Sequence, residues 1–252
     1  RQMCIRDSFK PHVYKTEDYG KTWTSISTNL TPGTVHVIVE DRINPDLLFV
    51  GKEFDVNVSI DGGKNWVTMK NNMPTNEVYD LLIHPRENDL VVGTHGRGIF
   101  VTDITPLQEM NAELLQKDIH LFKVEPKIQW SYRSGKERPG DRQFIVPNEP
   151  VGLVINYYLK SKSDTKVSVA ISDPYGEEIN TIEGKGDAGL NQVIWDMRRK
   201  LTKEEQEAAP AFGRRMRRGQ LVAPGEYVVT LEVGSQKFTQ RALIRPMPGR
   251  DQ

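Results

Sequence analysis

Apolar residues in this chain fall in short alternating runs, not at the three-and-four spacing of an amphipathic helix. Val35-His-Val-Ile-Val39, Leu47-Leu-Phe-Val50, Val78-Tyr-Asp-Leu-Leu-Ile83 and Leu90-Val-Val92 have the length and the β-branched content of strands. The pattern resumes in Gly152–Leu159, Lys166–Ser172, Asn191–Trp195, Gly225–Val233 and Phe238–Ile244, with turns at Asp173-Pro-Tyr-Gly176 and Pro224-Gly225. One stretch reads differently. Thr105-Pro-Leu-Gln108 has the form of a capping box, with proline at the first helical position and glutamine placed to reach back. It predicts a short helix whose Leu107, Met110, Leu114 and Leu115 share one face, with Asp118–Trp130 leading away as a strand and linker. The expectation is an all-β chain with one short helix.

A repeat organises the first half. Thr16-Glu-Asp-Tyr-Gly-Lys-Thr-Trp23 recurs as Ser59-Ile-Asp-Gly-Gly-Lys-Asn-Trp66, 43 residues on, and Val101-Thr-Asp103 is a worn third copy. That period matches one four-stranded propeller blade. Each position has a task in a hairpin turn. Asp18 and Asp61 accept hydrogen bonds from turn amides, and Thr16 and Ser59 do so more weakly. Gly20 and Gly63 take backbone angles that side chains resist, and Trp23 and Trp66 fill the wedge between neighbouring blades. These eight residues are therefore read as structural.

The chain divides accordingly. Residues 9–104 are expected to hold the last two to three blades of a propeller, 105–143 a helix and linker, and 144–247 an Ig-like β-sandwich. The glycine- and proline-bearing stretch Arg133–Arg142 is the expected boundary. Residues 1–8 match neither strand, helix nor signal peptide and resemble translated adaptor read-through, so they are set aside together with the single Cys4.

Charge and composition remove several classes of function. Thirty-four basic residues balance thirty-four acidic ones, so the field that draws nucleic acid non-specifically is missing. No apolar run is long enough to span a bilayer. The motifs H-E-x-x-H, C-x-x-C, G-x-S-x-G and the P-loop do not occur, so no metal and no cofactor is expected. Arg214, Arg215, Arg217 and Arg218 cluster within the insertion Lys203–Arg218. They read either as a solvated loop beside three glutamates or as a grip for a carboxylated glycan or phosphate.

Several landmarks together resemble a known family. These are the two repeated turns, Gly93-Thr-His-Gly-Arg-Gly-Ile-Phe-Val-Thr-Asp103 followed by Thr105-Pro-Leu107, Pro150-Val-Gly-Leu-Val-Ile-Asn-Tyr-Tyr158, Gly189-Leu-Asn-Gln-Val-Ile-Trp-Asp-Met-Arg198 and Pro224-Gly-Glu-Tyr227. From residue 12 onward the chain is similar to large bacterial BNR-repeat (Asp-box) proteins with a sortilin-type β-propeller, often named glycosyl hydrolases. Its C-terminal part resembles the Ig-like domain of flagellar hook-capping proteins. The resemblance implies a fragment of an extracellular or periplasmic protein that binds glycan or polypeptide and has further, upstream propeller blades. The alternative is the non-catalytic tail of a xyloglucanase-like or sialidase-like glycoside hydrolase whose catalytic acids lie upstream. No catalytic residue is assigned in this chain.

Glycoside hydrolysis ordinarily needs two facing carboxyl groups. Asp55, Asp80 and Asp103 are carboxylates on strands or strand ends outside an intact repeated turn. His95 and Arg97, in the loop Thr94-His-Gly-Arg-Gly98, offer a titratable ring and an anion-binding fork. His95, Arg97 and Asp80 are the candidate ligand contacts, with a glycine-held tight turn as the other reading of that loop.

Overall fold

A computed structural model describes residues 10–70, 73–130, 151–202, 205 and 219–248. The set-aside N-terminus, the expected boundary Arg133–Arg142 and all of the arginine-bearing insertion except Glu205 lie outside the described residues. The chain forms two compact units that divide between Leu115 and Gln116, and both are built of β-strands.

The described residues of the first unit form three antiparallel sheets. Strands β1 (Tyr14–Lys15) and β2 (Thr24–Ser25) form a hairpin. Strands β3 (Val35–Glu40), β4 (Leu48–Lys52), β5 (Val56–Ser59) and β6 (Val67–Met69) form a four-stranded sheet in chain order, and β7 (Val78–Ile83), β8 (Asp89–Thr94) and β9 (Ile99–Asp103) a three-stranded one. The four-stranded sheet is covered on both faces. Val39, Phe49 and Val58 pair across it and pack against Val78, Leu81 and Ile83 of β7. Leu48 and Val50 point the other way and pack on Val13, Leu30 and Trp66. Two-sided burial is why Leu47-Leu-Phe-Val50 is a continuous apolar run instead of an alternating one. The sheets approach closely at Gly51, where a Cβ would come within 2.7 Å of Val37 and Val78 side-chain atoms.

The two copies of the repeated turn close on the same bonds. Thr22 N and Asn65 N donate to Asp18 Oδ1 and Asp61 Oδ1, each at 2.8 Å. Gly20 N donates to Thr16 Oγ1 at 2.8 Å, and Gly63 N to Ser59 Oγ at 2.9 Å. Tyr19 and Gly20 in one turn, and Gly62 and Gly63 in the other, all have positive φ, so the motif encodes a backbone shape as well as a set of bonds. The tryptophans differ. Trp66 is buried, with Nε1 donating to Ile26 O at 2.7 Å and its backbone clamped by the Asn29 side chain. Trp23 is 61% exposed, and no described residue covers it as Ile26 and Leu30 cover Trp66.

Helix α1 (Thr105–Glu109) starts where expected but ends before Met110, whose backbone is extended, so Leu114 and Leu115 fall in a separate 3-10 turn (Leu114–Gln116) and not on the helix; nor does α1 have the expected cap. Its N-cap position is Ile104, without a side-chain cap bond. Gln108 does not reach back to Thr105; its Nε2 donates to Asp41 Oδ1 at 2.8 Å. Asp103 Oδ1 instead accepts the Thr105 amide, also at 2.8 Å. Buried Asp41 is already fixed by the Ile43 and Asn44 amides, so it offers Gln108 a preset acceptor. Met110 and Leu114 are buried, and Leu107 packs on the core shared by the second and third sheets.

Among its described residues the second unit has two sheets. One consists of β10 (Ile119–Leu121), β12 (Leu153–Leu159) and β15 (Gly189–Trp195). The other consists of β11 (Lys127–Ile128), β13 (Val167–Ser172), β14 (Glu178–Glu183), β16 (Gly225–Val233) and β17 (Gln236–Arg245), in the order β11-β17-β16-β13-β14. Both sheets feed one core: Leu153, Ile155, Tyr157, Val193 and Trp195 from the first, and Val169, Ile171, Val229 and Leu231 from the second. Strict alternation of buried and partly buried positions along β12 and β13 shows that each sheet has one face inward. Residues 119–121 and 127–128, within the stretch Asp118–Trp130 that the sequence pattern reads as a strand and linker, pair with β12 and β17. Strand β14, Glu-Ile-Asn-Thr-Ile-Glu, lies at a sheet edge, and its polar composition hides it from a hydrophobic pattern. Thr202 and Glu205 form a reciprocal capping box, and Arg199 grips the Glu205 carboxylate with both guanidinium arms.

Two outcomes follow from these bonds. Hydrogen bonds from Asn65, Ser59 and Lys64 hold the Asp61 carboxyl below its usual range, outweighing a burial effect that by itself is the largest influence and acts upward. The turn's contribution is therefore complete above the unfolded carboxyl value of about 4 and is lost as pH falls through the lower folded value. Asp61→Ala is expected to cost about 1 kcal/mol, the scale of losing a side-chain cap, read as an earlier urea transition in Trp66 fluorescence. Arg199 holds the Glu205 carboxyl at about 2 instead of 4.5. Carboxyl NMR should show that depressed midpoint, and Arg199→Gln should raise it toward the usual carboxylate range, with the Thr202 bonds still acting downward; an unchanged midpoint in the variant would refute the pairing.

Candidate binding face

Strands β3 and β7 are the first strands of their sheets, and both are irregular at the same place. The register shifts between Val35 and Val37 in one and between Val78 and Asp80 in the other. The extra residues are His36 and Tyr79, which occupy equivalent positions of the 43-residue repeat. A bulge re-aims the side chain of its extra residue. Here the two re-aimed rings meet: the imidazole and the phenol stack with centroids 5.2 Å apart and planes inclined by 15°.

Two more side chains complete the cluster. Glu77, just before β7, places Oε1 3.1 Å from His36 Nε2 and Oε2 3.9 Å from His95 Nδ1. The His95 ring lies 5.5 Å from Tyr79 at an inclination of 57°. One carboxylate thus faces two imidazoles, with a tyrosine between the rings. His95 is positioned by its backbone: its amide donates to Glu77 O at 2.9 Å, and its carbonyl accepts from Asn76 Nδ2 at 3.2 Å. The loop that carries it closes when Thr94 N and Oγ1 both donate to Gly98 O, with Gly96 and Gly98 at positive φ. Tyr79 remains 53% exposed and the His95 side chain 74% exposed, whereas the His36 and Glu77 side chains are mostly covered. The more covered pair supports the more exposed pair.

Of the three contacts expected from sequence, the structure brings one into this cluster. Asp80 follows Tyr79 on β7, but its Oδ1 accepts the neighbouring Leu81 amide at 3.0 Å. Arg97 sits exposed at the loop tip between its two glycines. His36, Glu77 and Tyr79 were not anticipated. The repeat period does align His36 with Tyr79, and that was the signal available for the stack; nothing in the spacing marks Glu77.

The other residues singled out in the sequence have local structural partners. Asp55 binds the fully buried Lys52, Nζ to Oδ1 3.1 Å, and also accepts from Asn57. Lys52 in turn donates to Thr31 O at 2.9 Å. Asp103 is committed to Thr105. So the candidate carboxylates Asp55, Asp80 and Asp103 are each engaged locally, and none of these bonds joins two of them as a glycosidase pair. Thr16, Asp18, Gly20, Ser59, Asp61 and Gly63 are taken up by the repeated turns. A shallow depression of about 230 Å³ is lined by Asp41, Ile83, His84 and Asn88, away from the ring cluster. Among the described residues no group of three or more histidine, cysteine or carboxylate side chains is arranged to hold a metal ion, and no helix is long and apolar enough to cross a membrane.

No protein-family model matches the chain, and no curated protein matches it. Among solved structures, Salmonella alpha-2-macroglobulin reacted with methylamine is similar at a TM-score of 0.27 and 9% identity, over 90% of this chain and 15% of that one. The present chain thus spans a small part of that protein's length, and a likeness at that level carries no argument about fold or function.

Proposed function

We propose that the chain is a binding module in which blades of an Asp-box β-propeller are followed by an Ig-like β-sandwich, and that glycan is bound at the His36–Glu77–Tyr79–His95 cluster. Three features support the propeller reading: the 43-residue period, meanders that each begin with a bulged strand, and turns that repeat bond for bond. The sandwich reading is supported by two sheets sharing one core. A place outside the cell or in the periplasm accords with these module types.

The observation that carries the binding reading is the half-exposed Tyr79 ring held between two imidazoles. Flat rings offer apolar area at little cost in conformational entropy, and polar groups at their margin set orientation. A pyranose presents an apolar C–H face and a rim of hydroxyls, which suits a ring flanked by His95 and the Glu77 carboxylate. The reading is non-catalytic: the candidate carboxylates Asp55, Asp80 and Asp103 are engaged by Lys52, the Leu81 amide and the Thr105 amide, and Glu77 faces two imidazoles.

The test is a titration of the full chain with a xyloglucan oligosaccharide and, separately, with sialyllactose, followed by amide chemical shifts. Shifts at Tyr79 and His95 with either sugar, weakened about tenfold in Tyr79→Ala, are expected; tenfold corresponds to about 1.4 kcal/mol. If both sugars leave the cluster unperturbed, or Tyr79→Ala binds as tightly as the parent, the reading fails.

A further inference from the structure

Two buried polar side chains, Lys52 and Asn57, lie diagonally across the β4–β5 hairpin. Lys52 stands opposite Asp55, whose carbonyl accepts its amide at 2.9 Å, and Asn57 stands opposite Val50, two residues before Lys52. Alternate residues of a strand share a face, so Val50, Lys52, Asp55 and Asn57 lie on the same face of the sheet. Diagonal neighbours of this kind are about 7–8 Å apart, within reach of a long side chain.

One carboxylate joins the two. Asp55 Oδ1 accepts from Lys52 Nζ at 3.1 Å and from Asn57 Nδ2 at 2.5 Å, while Oδ2 accepts from the Thr31 hydroxyl at 3.4 Å. The other end of the amide is held as well, because Thr68 Oγ1 donates to Asn57 Oδ1 at 3.1 Å. A structural ion pair accounts for Lys52 and Asp55, but it does not require a buried amide on the same carboxylate oxygen. The set has the parts of an acyl transfer: an amine, a carbonyl with a donor on its oxygen, and a carboxylate touching both the attacking and the leaving nitrogen. Lys52 is 0% and Asn57 2% exposed, so water has little access to compete for the carbonyl.

We infer that Lys52 and Asn57 form an intramolecular isopeptide bond, with Asp55 as its acid–base group. Asp55 takes one proton from the Lys52 ammonium. The freed lone pair attacks Asn57 Cγ, the Nζ–Cγ bond forms, and the negative charge that collects on Oδ1 is stabilised by the Thr68 hydroxyl. A second proton passes from Nζ to Nδ2 as the Cγ–Nδ2 bond breaks. Ammonia departs, takes up the proton held on Asp55 and leaves as ammonium, so the carboxylate is restored. No oxidant is consumed, and the product ties β4 to β5 inside the sheet that is buried on both faces. A chain with one cysteine has no disulfide of its own to do this. The inference does not depend on what the ring cluster binds.

The parent chain decides the matter. After prolonged incubation in the folded state it is denatured, and its intact mass and tryptic fragments are measured. The expected mass is that of the sequence less one ammonia, with cleavage after Lys52 blocked and a fragment spectrum joining Lys52 Nζ to Asn57 Cγ. The full mass should return in Asn57→Ala, which lacks the acyl group, and in Asp55→Ala, which lacks the acid–base group, each checked for a folded amide spectrum. An undiminished parent mass overturns the inference. So does a link from Lys52 to Asp55 with loss of water, or an ammonia loss that maps to an asparagine closed on its own backbone. A complete link in folded Asp55→Ala removes the role given to that carboxylate.

Discussion

Burying both faces of one sheet is the constraint on which the first unit depends. A sheet flanked on one side can leave its other face in water and alternate apolar with polar residues, but β3–β6 has packing partners on both sides. Close packing there requires Gly51 at the point where Val37 and Val78 converge. It requires a large side chain, Trp66, against the opposite face. It also forces Lys52 into the interior, where Asp55 and Thr31 satisfy its charge and hydrogen-bonding capacity. Each of these choices is local in sequence yet has meaning only because a neighbouring layer arrives from 20 to 40 residues away.

The same layering generates the ring cluster. Strands β3 and β7 lie side by side because their sheets are stacked, and the shared bulge turns one residue from each toward the other. Glu77 then joins His36 to His95, tying the start of one sheet to a turn of the same repeat unit that carries Tyr79. A pair of repeats thereby brings together residues that no single repeat contains. The second unit follows a simpler rule, with one inward face per sheet, and its core is completed by Trp195, whose indole N–H is bonded to Arg198 O at 2.8 Å and whose ring meets Tyr227 edge-on.

Strands with strong alternation or continuous apolar runs were legible in the sequence, as were the repeated turns, because their pattern reports local backbone geometry and burial directly. Strand β14 was not legible, since its exposed edge position removes the selection for apolar residues. The stretch Asp118–Trp130 read as a strand and linker, but its two separate strands at 119–121 and 127–128 were not legible, because strands of two or three residues are too brief to show a period and gain their order from β12 and β17. The helix was legible and its cap was not: Thr105 and Gln108 fit the spacing of a capping box, but a carboxylate from residue 41 competes for the glutamine.

For the candidate site the division is sharper. The sequence by itself determined the all-β class, the 43-residue period, the turn chemistry of Asp18 and Asp61, and the glycine-framed loop that carries His95. Only the tertiary structure decided that Trp66 is buried while Trp23 is not, that Asp80 turns to its own backbone, and that His36, Glu77, Tyr79 and His95 converge. The physical reason is range. Turn bonds span two to four residues and leave a local signature, whereas ring stacking and shared carboxylates depend on which faces two sheets present to each other.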